Sequence, residues 1–589
     1  MKDITESAIR PGAGASGRRW RLRGGETTGS GDLLRHLARV RGVGEQEMLA
    51  WTAPSLRQSM PDPLVLADMD LGLQTVWDTI RKGDRLAIWS DYDCDGLTAA
   101  AVMVRFLRAC GAGNPPVRIP DRAREGYGPN AEGLRALRDD GIRTVVVLDA
   151  GVQAHEALEA ADAAGLEIVV IDHHAPGPDL PPARAVIDPK RHDDESGLDD
   201  LCAAGLAFVF CVGLAREMRR AGWFDGRKGR PASMPQSRLL GLLDIVALGT
   251  VADVVPLKDL NRAIVARGLE VLNAGGCPGL AALVLKAGLA GPVTASDLGW
   301  KLGPRINAAG RIGDPMTGLS LLLTEDPEEA AALAEELNQL NEQRQAIEAH
   351  VSEAAMASVL PRQTNRSPVI ALVEDAHEGV IGISAGRLRK ELHAPALVLS
   401  GSEDGFLKGS ARSVEGFDIG HAVLDAKAAG ILVRGGGHRM AAGMTLKRDM
   451  LDRFRMFLED RIIDSTFFRE GEFLDIDLFL EPGEVNEALL QVFAALEPTG
   501  AGNPPARLAL SHVVMPEPVL LKEKHLKFSA GGIDILAWNA AGSDLGTFLS
   551  LRTGRAVELA GSLSINEFRG IRRIQMILDD ARDATEPNL

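Results

Sequence analysis

Cysteine is scarce. The 589 residues hold five, Cys94, Cys110, Cys202, Cys211 and Cys277, an odd and scattered set with no CxxC pair. That excludes a disulfide framework and a cysteine-based zinc or redox site, and it fits a reducing cytoplasm. Long apolar runs are missing as well. No stretch of about 18 uncharged apolar residues occurs, and residues 1–20 lack the apolar segment of a secretion signal, so no membrane is expected as a partner. Nor is there an excess of positive charge: a formal net charge of −16 excludes a partner held by bulk basicity. An anionic ligand must be met by locally placed cationic groups, or by metal ions held among the acids. Aromatics make up only 4%, few enough to be weighed one by one.

What is present is ordinary globular usage, 45% hydrophobic and 25% charged, in a chain too long for one core. About three or four domains are expected. Residues 1–60 read as an N-terminal tail and lead-in, because 1–30 are rich in Gly, Arg and Ser without periodicity. A formal GxGxxG at 12–17 follows no strand and so carries no dinucleotide signal. From 61 to 325, apolar runs at 85–89, 144–148 and 167–171 alternate with amphipathic helical stretches, the pattern of a doubly wound parallel α/β sheet. Such sheets bind ligands beyond the carboxyl ends of their strands, and each of these runs stops at a polar or acidic cluster. Residues 326–365 hold one long connecting helix, free of Gly and Pro from 328 to 359. A second α/β domain is expected over 366–467, with its first strand at 369–373 and a glycine-rich turn at 435–443. From 468 to 589 the pattern turns β-rich, at 525–529, 533–538, 556–563 and 574–578, which predicts a small C-terminal β-barrel.

The strongest chemical signal is Asp91-Tyr92-Asp93-Cys94-Asp95-Gly96, directly after a strand. Alternate residues of extended chain face one way, so three carboxylates converge on one side, and hard divalent cations take such oxygen ligands. An EF-hand loop opens with the same D-x-D-x-D-G, but its twelfth position here is Val102 where a glutamate is required, and a strand leads in. Asp149 and Asp172-His173-His174 follow the next two strands, and Asp253 follows the apolar run 245–251, itself partly helical in character. One Asp at such a place is ordinarily a helix N-cap, and one His a satisfied structural group. Four clusters together are harder to dismiss, because carboxylates crowded round one point repel unless cations neutralise them.

DYDCDG, a lone Asp after an apolar strand, DHH and VADVVPL resemble, in order and spacing, the four motifs of the DHH phosphoesterase superfamily. RAREGYG at 122–128, GPRINAAGR at 303–311 and GSARS at 409–413 are most similar to RecJ-type 5′-exonucleases, and the likeness spans most of residues 60–580. It implies a DHH catalytic domain, a DHH-associated substrate-binding domain and an oligonucleotide-binding (OB-fold) barrel. By the same resemblance Asp93, Asp95, Asp149, His173 and Asp253 hold two divalent cations, Mn2+ or Mg2+. Asp91, Asp172, His174 and His438 support the chemistry, with Asp172 orienting a histidine and His438 facing the scissile phosphate. Two ions about 3.5–4 Å apart activate a shared water and stabilise charge on the attacked phosphate. Phosphate contacts fall to Arg122, Arg305, Arg311, Ser410 and Arg412, and to close backbone approach at Gly435, Gly436 and Gly437. In the barrel, Trp538 and Phe568 are candidates for stacking on bases, with a core role as the alternative for each.

The activity so implied is removal of mononucleotides from the 5′ end of single-stranded DNA, in repair and recombination, by a cytoplasmic monomer with a single-strand binding protein and a helicase as partners. Three other readings stand beside it. An oligonucleotide or cyclic-dinucleotide phosphodiesterase uses similar chemistry, but such relatives generally lack the barrel. A non-catalytic DNA-binding scaffold is marked by degenerate ligands, whereas the expected acids are all present. A serine hydrolase is suggested by Gly382-Ile383-Ser384-Ala385-Gly386. That motif needs a strained strand-to-helix elbow, and the helical continuation at 387–392 argues against one.

Overall fold

The computed structural model describes residues 9–23, 33–122, 124–227, 229–233, 236–361, 364, 366–401, 405–568 and 571–584. They divide into two compact units, one of Leu49–Arg344 with Glu497–Pro504, the other of Met1–Met48, Gln345–Leu496 and Pro505–Leu589.

In the first unit five parallel strands lie in the order Val117–Arg118, Leu86–Ser90, Thr144–Leu148, Glu167–Ile171, Ala185–Ile187. The three long ones are almost wholly apolar because both faces of the sheet are covered. Ile88, Val146, Leu148, Val169 and Ile171 join one core with the helices Cys94–Ala109 and Ala203–Arg220, while Ala87, Trp89, Val145, Val147 and Val170 join a second core. That alternation is the two-residue period of extended chain. In chain order the sheet reads 2-1-3-4-5, so the winding reverses between Leu86–Ser90 and Thr144–Leu148. The crevice beyond the carboxyl ends of these two strands is where such a topology takes its ligand.

Register sets what stands there. Ser90 lies opposite Leu148, Leu148 opposite Ile171, and Ile171 opposite Ile187. The next residue on each strand is an aspartate: Asp91, Asp149, Asp172 and Asp188. The row across four strand ends is continued by backbone bonds, from Asp149 N to Ile171 O at 3.0 Å and from Asp172 N to Ile187 O at 3.1 Å. Asp253 differs from its expected setting. The run 245–251 is helix, within Leu243–Ala252, and Asp253 is its C-cap. Segment Glu497–Pro504 packs into this unit through Arg262, which donates to Pro498 O at 2.9 Å and Glu497 O at 2.8 Å.

The connecting helix runs from Pro327 to Ala357. In the second unit a five-stranded sheet has the order Arg434–His438, Ala441–Lys447, Phe406–Arg412, Ala396–Gly401, Val369–Glu374. The glycines expected in a turn are therefore edge strand, with only Arg439 and Met440 left to reverse the chain. Ser384 lies inside the helix Glu378–Leu392, fully buried and accepting a hydrogen bond from Ser352 Oγ at 3.0 Å. No elbow exists there. A seven-stranded sheet from Leu478–Leu480 through Ile571–Asp583 forms the C-terminal β-rich region.

The N-terminal tail expectation fails for residues 9–22. Ile9–Ala13 and Arg19–Leu22 form a hairpin, and Arg19–Leu22 pairs in parallel with Phe473–Ile476. A strand this short buries only Trp20 and Leu22, too brief an alternation to register in a Gly- and Arg-rich stretch. Ion pairs complete the docking. Fully buried Asp477 meets Arg23 at 3.1 Å and Arg41 at 3.1 Å and accepts from Arg507 N at 2.8 Å. Asp477→Ala strands buried cationic donors and is expected to cost about 3–5 kcal/mol. Urea denaturation measures this, and an unchanged midpoint would show that the hairpin docks without the carboxylate.

Candidate metal centre

The DYDCDG loop is a helix start before it is anything else. Asp93 N-caps Cys94–Ala109, its Oδ1 accepting from Asp95 N at 3.0 Å and Gly96 N at 3.2 Å. The cap leaves over the Cys94 N–H, which donates to Asn307 Oδ1 at 2.8 Å. Asn307 belongs to the helix Gly303–Ile312, and that helix lies so close that a Cβ on Gly310 would stand 2.4 Å from Tyr92 O. GPRINAAGR thus braces the acidic loop. Asp95, buried, accepts from Ala203 N at 2.7 Å and Ala204 N at 2.9 Å at the start of a long helix, where the peptide dipoles favour a carboxylate. Asp149 sits at φ 59°, a left-handed conformation that Asp tolerates better than most side chains.

These elements bring oxygen and imidazole donors to one place. His173 Nε2 lies 3.2 Å from Asp149 Oδ1, 3.7 Å from Asp95 Oδ2 and 3.7 Å from Asp253 Oδ2. Three sets have donor atoms within 4.8 Å of one another: Asp91 with Asp93 and Asp149, Asp95 with His173 and Asp253, and Asp149 with His173 and His174. Asp149 and His173 each belong to two sets. Asp172, expected to orient a histidine, has Oδ1 2.8 Å from His174 Nδ1 and accepts from His173 N at 2.8 Å and Val152 N at 3.0 Å. Tyr127 donates its hydroxyl to Asp149 O at 2.8 Å, and the Tyr127 hydroxyl oxygen itself lies 3.1 Å from His174 Nδ1.

The electrostatics are those of an anion cluster. Burial first, and then the neighbouring aspartates, push Asp91 and Asp149 well above the usual carboxylate range. The same causes take Asp95 to about 6 and Asp253 to about 8. In the Asp172–His174 pair burial opposes charge on both groups, yet their hydrogen bond prevails, lowering Asp172 and raising His174 to about 9. Asp91 Oδ1 and Asp149 Oδ1 are buried without a hydrogen bond among the described residues. Converging oxygens and one imidazole, some with unspent lone pairs, fit hard divalent cations.

Arg122 and Arg311, expected at phosphate, lie by the DYDCDG loop. The Arg122 guanidinium is 5.2 Å from the Tyr92 ring centroid, and Arg311 lies on the Asn307 helix. Arg305 is more committed than expected, with Nε donating to Asn338 Oδ1 at 3.1 Å and Nη1 to Lys301 O at 2.6 Å. In the second unit register makes its own group. Ser410 lies opposite Gly443 and Gly443 opposite Gly436; Arg412 lies opposite Ala441 and Ala441 opposite His438. The two rows are two residues apart, so Ser410, Arg412, Gly436 and His438 share a face of the sheet. A Cβ on Gly436 or Gly443 would meet open space, whereas Gly435 and Gly437 are close-packed against Val423 and Ala442. Of the three glycines, only Gly436 leaves backbone open to a ligand. Trp538 is 55% exposed, which removes the core alternative for it, and its ring centroid is 4.6 Å from that of His525. The Phe568 side chain lies outside the described residues.

Sequence motifs assign no role to three residues of the site: Asp188, Tyr127 and Asn307. Asp188 is fully buried, with Oδ2 lacking a hydrogen bond and burial raising the carboxyl to about 7. Its strand is only Ala185–Ile187, and the available signal was the apolar triplet ending in Asp.

Fold and site define a DHH-type protein, and the chain matches the DHH family, N-terminal domain over residues 85–250, the DHHA1 domain over 366–464 and the RecJ OB domain over 476–580. It is 35% identical over 562 residues to the single-stranded-DNA-specific exonuclease RecJ of Escherichia coli (strain K12), covering 93% of this chain and 95% of that one. It is 32% identical over 541 residues to the protein of the same name from Thermus thermophilus, covering 90% and 74%. The crystal structure of RecJ in complex with Mn2+ from Thermus thermophilus superposes with a TM-score of 0.75 at 28% identity, over 94% of this chain and 78% of that one. The corresponding Mg2+ complex gives 0.66 at 27%, over 94% and 77%. The chain belongs to the RecJ family.

Two outcomes follow from the geometry. Asn307→Ala, which releases the Cys94 N–H, is expected to weaken Mn2+ binding about 10–100-fold, while Asn307→Asp keeps an acceptor oxygen and most of the affinity. Calorimetric titration separates them, and equal affinities would remove Asn307 as a brace. The second outcome concerns pH. The folded state holds protons on Asp95 up to about 6 and on Asp253 up to about 8, whereas an ordinary aspartate loses its proton near 3.8. The folded state therefore binds more protons, and the metal-free protein loses stability as pH rises from about 4 to 8. Saturating Mn2+ opposes this loss. Thermal melts across that range check the sign, and a metal-free protein that gains stability with pH would contradict it.

Proposed function

We infer that this chain is a metal-dependent exonuclease that removes mononucleotides from the 5′ end of single-stranded DNA. The observation that carries the reading is the convergence of Asp93, Asp95, Asp149, His173 and Asp253, joined by Asp91, at the switch point of the parallel sheet. We assign these side chains to two divalent cations, Mn2+ or Mg2+, with Asp149 and His173 in the positions shared between donor sets. Such cations, when bound, activate water and neutralise charge on a phosphodiester.

The chain's own groups do the rest. Asp172 and Tyr127 pin the Nδ1 of His174 beside Asp149, and the hydrogen bond to Asp172 favours the protonated imidazole. On the other unit, Arg412 is half-buried, burial draws its basicity down, and no carboxylate among the described residues pairs with it. A cation kept without a counter-ion suits a phosphate. Its Nη1 bonds Ser410 Oγ at 3.2 Å, and Gly382 leaves the room, since a Cβ there would stand 2.9 Å from that hydroxyl. These contacts, with His438 on the same face, support a backbone-binding role for the second unit. The OB domain match and the relatives named as single-stranded-DNA-specific exonucleases favour DNA over short oligoribonucleotides or cyclic dinucleotides. Single-strand binding protein and a helicase are the expected partners in the cytoplasm.

Strands labelled at the 5′ or the 3′ end, duplexes and RNA, each with and without Mn2+, test the assignment. Labelled mononucleotide released first from the 5′ end of single-stranded DNA is expected; release first from the 3′ end, or preference for RNA, refutes it. Asp149→Ala should abolish turnover. Arg412→Ala should weaken DNA binding and flatten the salt dependence by roughly one counter-ion, and an unaltered slope would show that Arg412 meets no phosphate.

A further inference from the structure

Trp300 is 81% exposed, more than any other large apolar side chain among the described residues. It stands on the π-helical turn Leu298–Leu302, which runs into the Gly303–Ile312 helix. Turns of this kind are uncommon and recur at functional sites. The mounting is firm. Leu298 and Leu302 are fully buried, a Cβ on Gly299 would stand 3.2 Å from Val251 Cγ1, and one on Gly303 would stand 3.2 Å from Ala252 Cβ. Val251 and Ala252 are the two residues before Asp253. On the other side of Asp253, Val254 is 70% exposed and held at φ 62°, a conformation that a β-branched residue adopts only under strain. The turn that carries Trp300 thus packs on the two residues before Asp253, and exposed Val254 directly follows that aspartate; Lys301 on the same turn pairs with Asp297 at 2.9 Å.

We propose that Trp300 is a stacking platform for a nucleobase of the strand whose phosphate lies at the metal centre, with Val254 as a second apolar wall. The inference rests on the nuclease reading above and adds a base-binding position on the catalytic unit. An anionic backbone drawn to cations leaves its bases needing an apolar surface, and an indole accepts any base because every base has a π face. A protein partner covering the same ring is the competing explanation, and the test separates the two.

The full-length protein is assayed with Mn2+ on 5′-phosphorylated oligothymidylate and on the same strand carrying abasic sites near its 5′ end. Trp300→Ala is expected to raise KM for oligothymidylate about tenfold with little change in kcat, and Trp300→Phe to restore most of the loss. On the abasic strand wild type and Trp300→Ala should be alike. Equal losses on both strands would mean that Trp300 acts on the backbone or the fold. No loss on either would leave the ring to a protein partner. Both results overturn the platform. If the wild-type protein fails to digest oligothymidylate at all, the nuclease reading itself falls, which is a separate result.

Discussion

Carboxylates repel one another, and this chain places several where water cannot relieve them. Four of the five parallel strands, in register, deliver an aspartate at the carboxyl end, and two buried cores fix the strands so that the row cannot spread. With Asp95 and Asp253 brought in by helices, the result is a group of acids in which burial and mutual repulsion hold the protons of Asp91, Asp95, Asp149 and Asp253 above their ordinary range, while His174 keeps Asp172 below it. Such an arrangement costs stability unless cations occupy it, and that cost is the reason to read the site as functional.

The surrounding structure answers to the same demand. Helix starts hold Asp93 and Asp95, the His174 ring is oriented by Asp172, and the GPRINAAGR helix steadies the loop between the first acids. On the second unit a different rule operates: Gly436 and His438 of the edge strand share one sheet face with Ser410 and with Arg412, which pairs with no carboxylate among the described residues. One unit would concentrate positive charge through cations held among its acids, the other through a side chain that pairs with no carboxylate among the described residues. A chain with net charge −16 can therefore bind a polyanion without a basic surface overall.

Much of this was legible in the sequence. The apolar runs before Asp91, Asp149 and Asp172 gave the sheet, because strands buried on both faces need unbroken Val, Ile and Leu. The convergence of Asp91, Asp93, Asp95, Asp149, His173 and Asp253 was legible because acids at strand ends have few structural uses in such number. What escaped depended on pairing. Asp188 follows a strand too short to show a period. The 435–437 glycines look like a turn until the neighbouring strand claims them. Asp253 ends a helix whose apolar run mimics a strand, and the Arg19–Leu22 strand exists only because Phe473–Ile476 receives it. Asn307 and Trp300 owe their meaning to what lies across from them, which spacing along the chain does not encode.

Anomalous diffraction from crystals grown with Mn2+ addresses the cation pair most directly. Two manganese peaks are expected, one among Asp91, Asp93 and Asp149 and one among Asp95, His173 and Asp253. A single peak, or none within reach of Asp149, would contradict the pairing of ions at the strand ends.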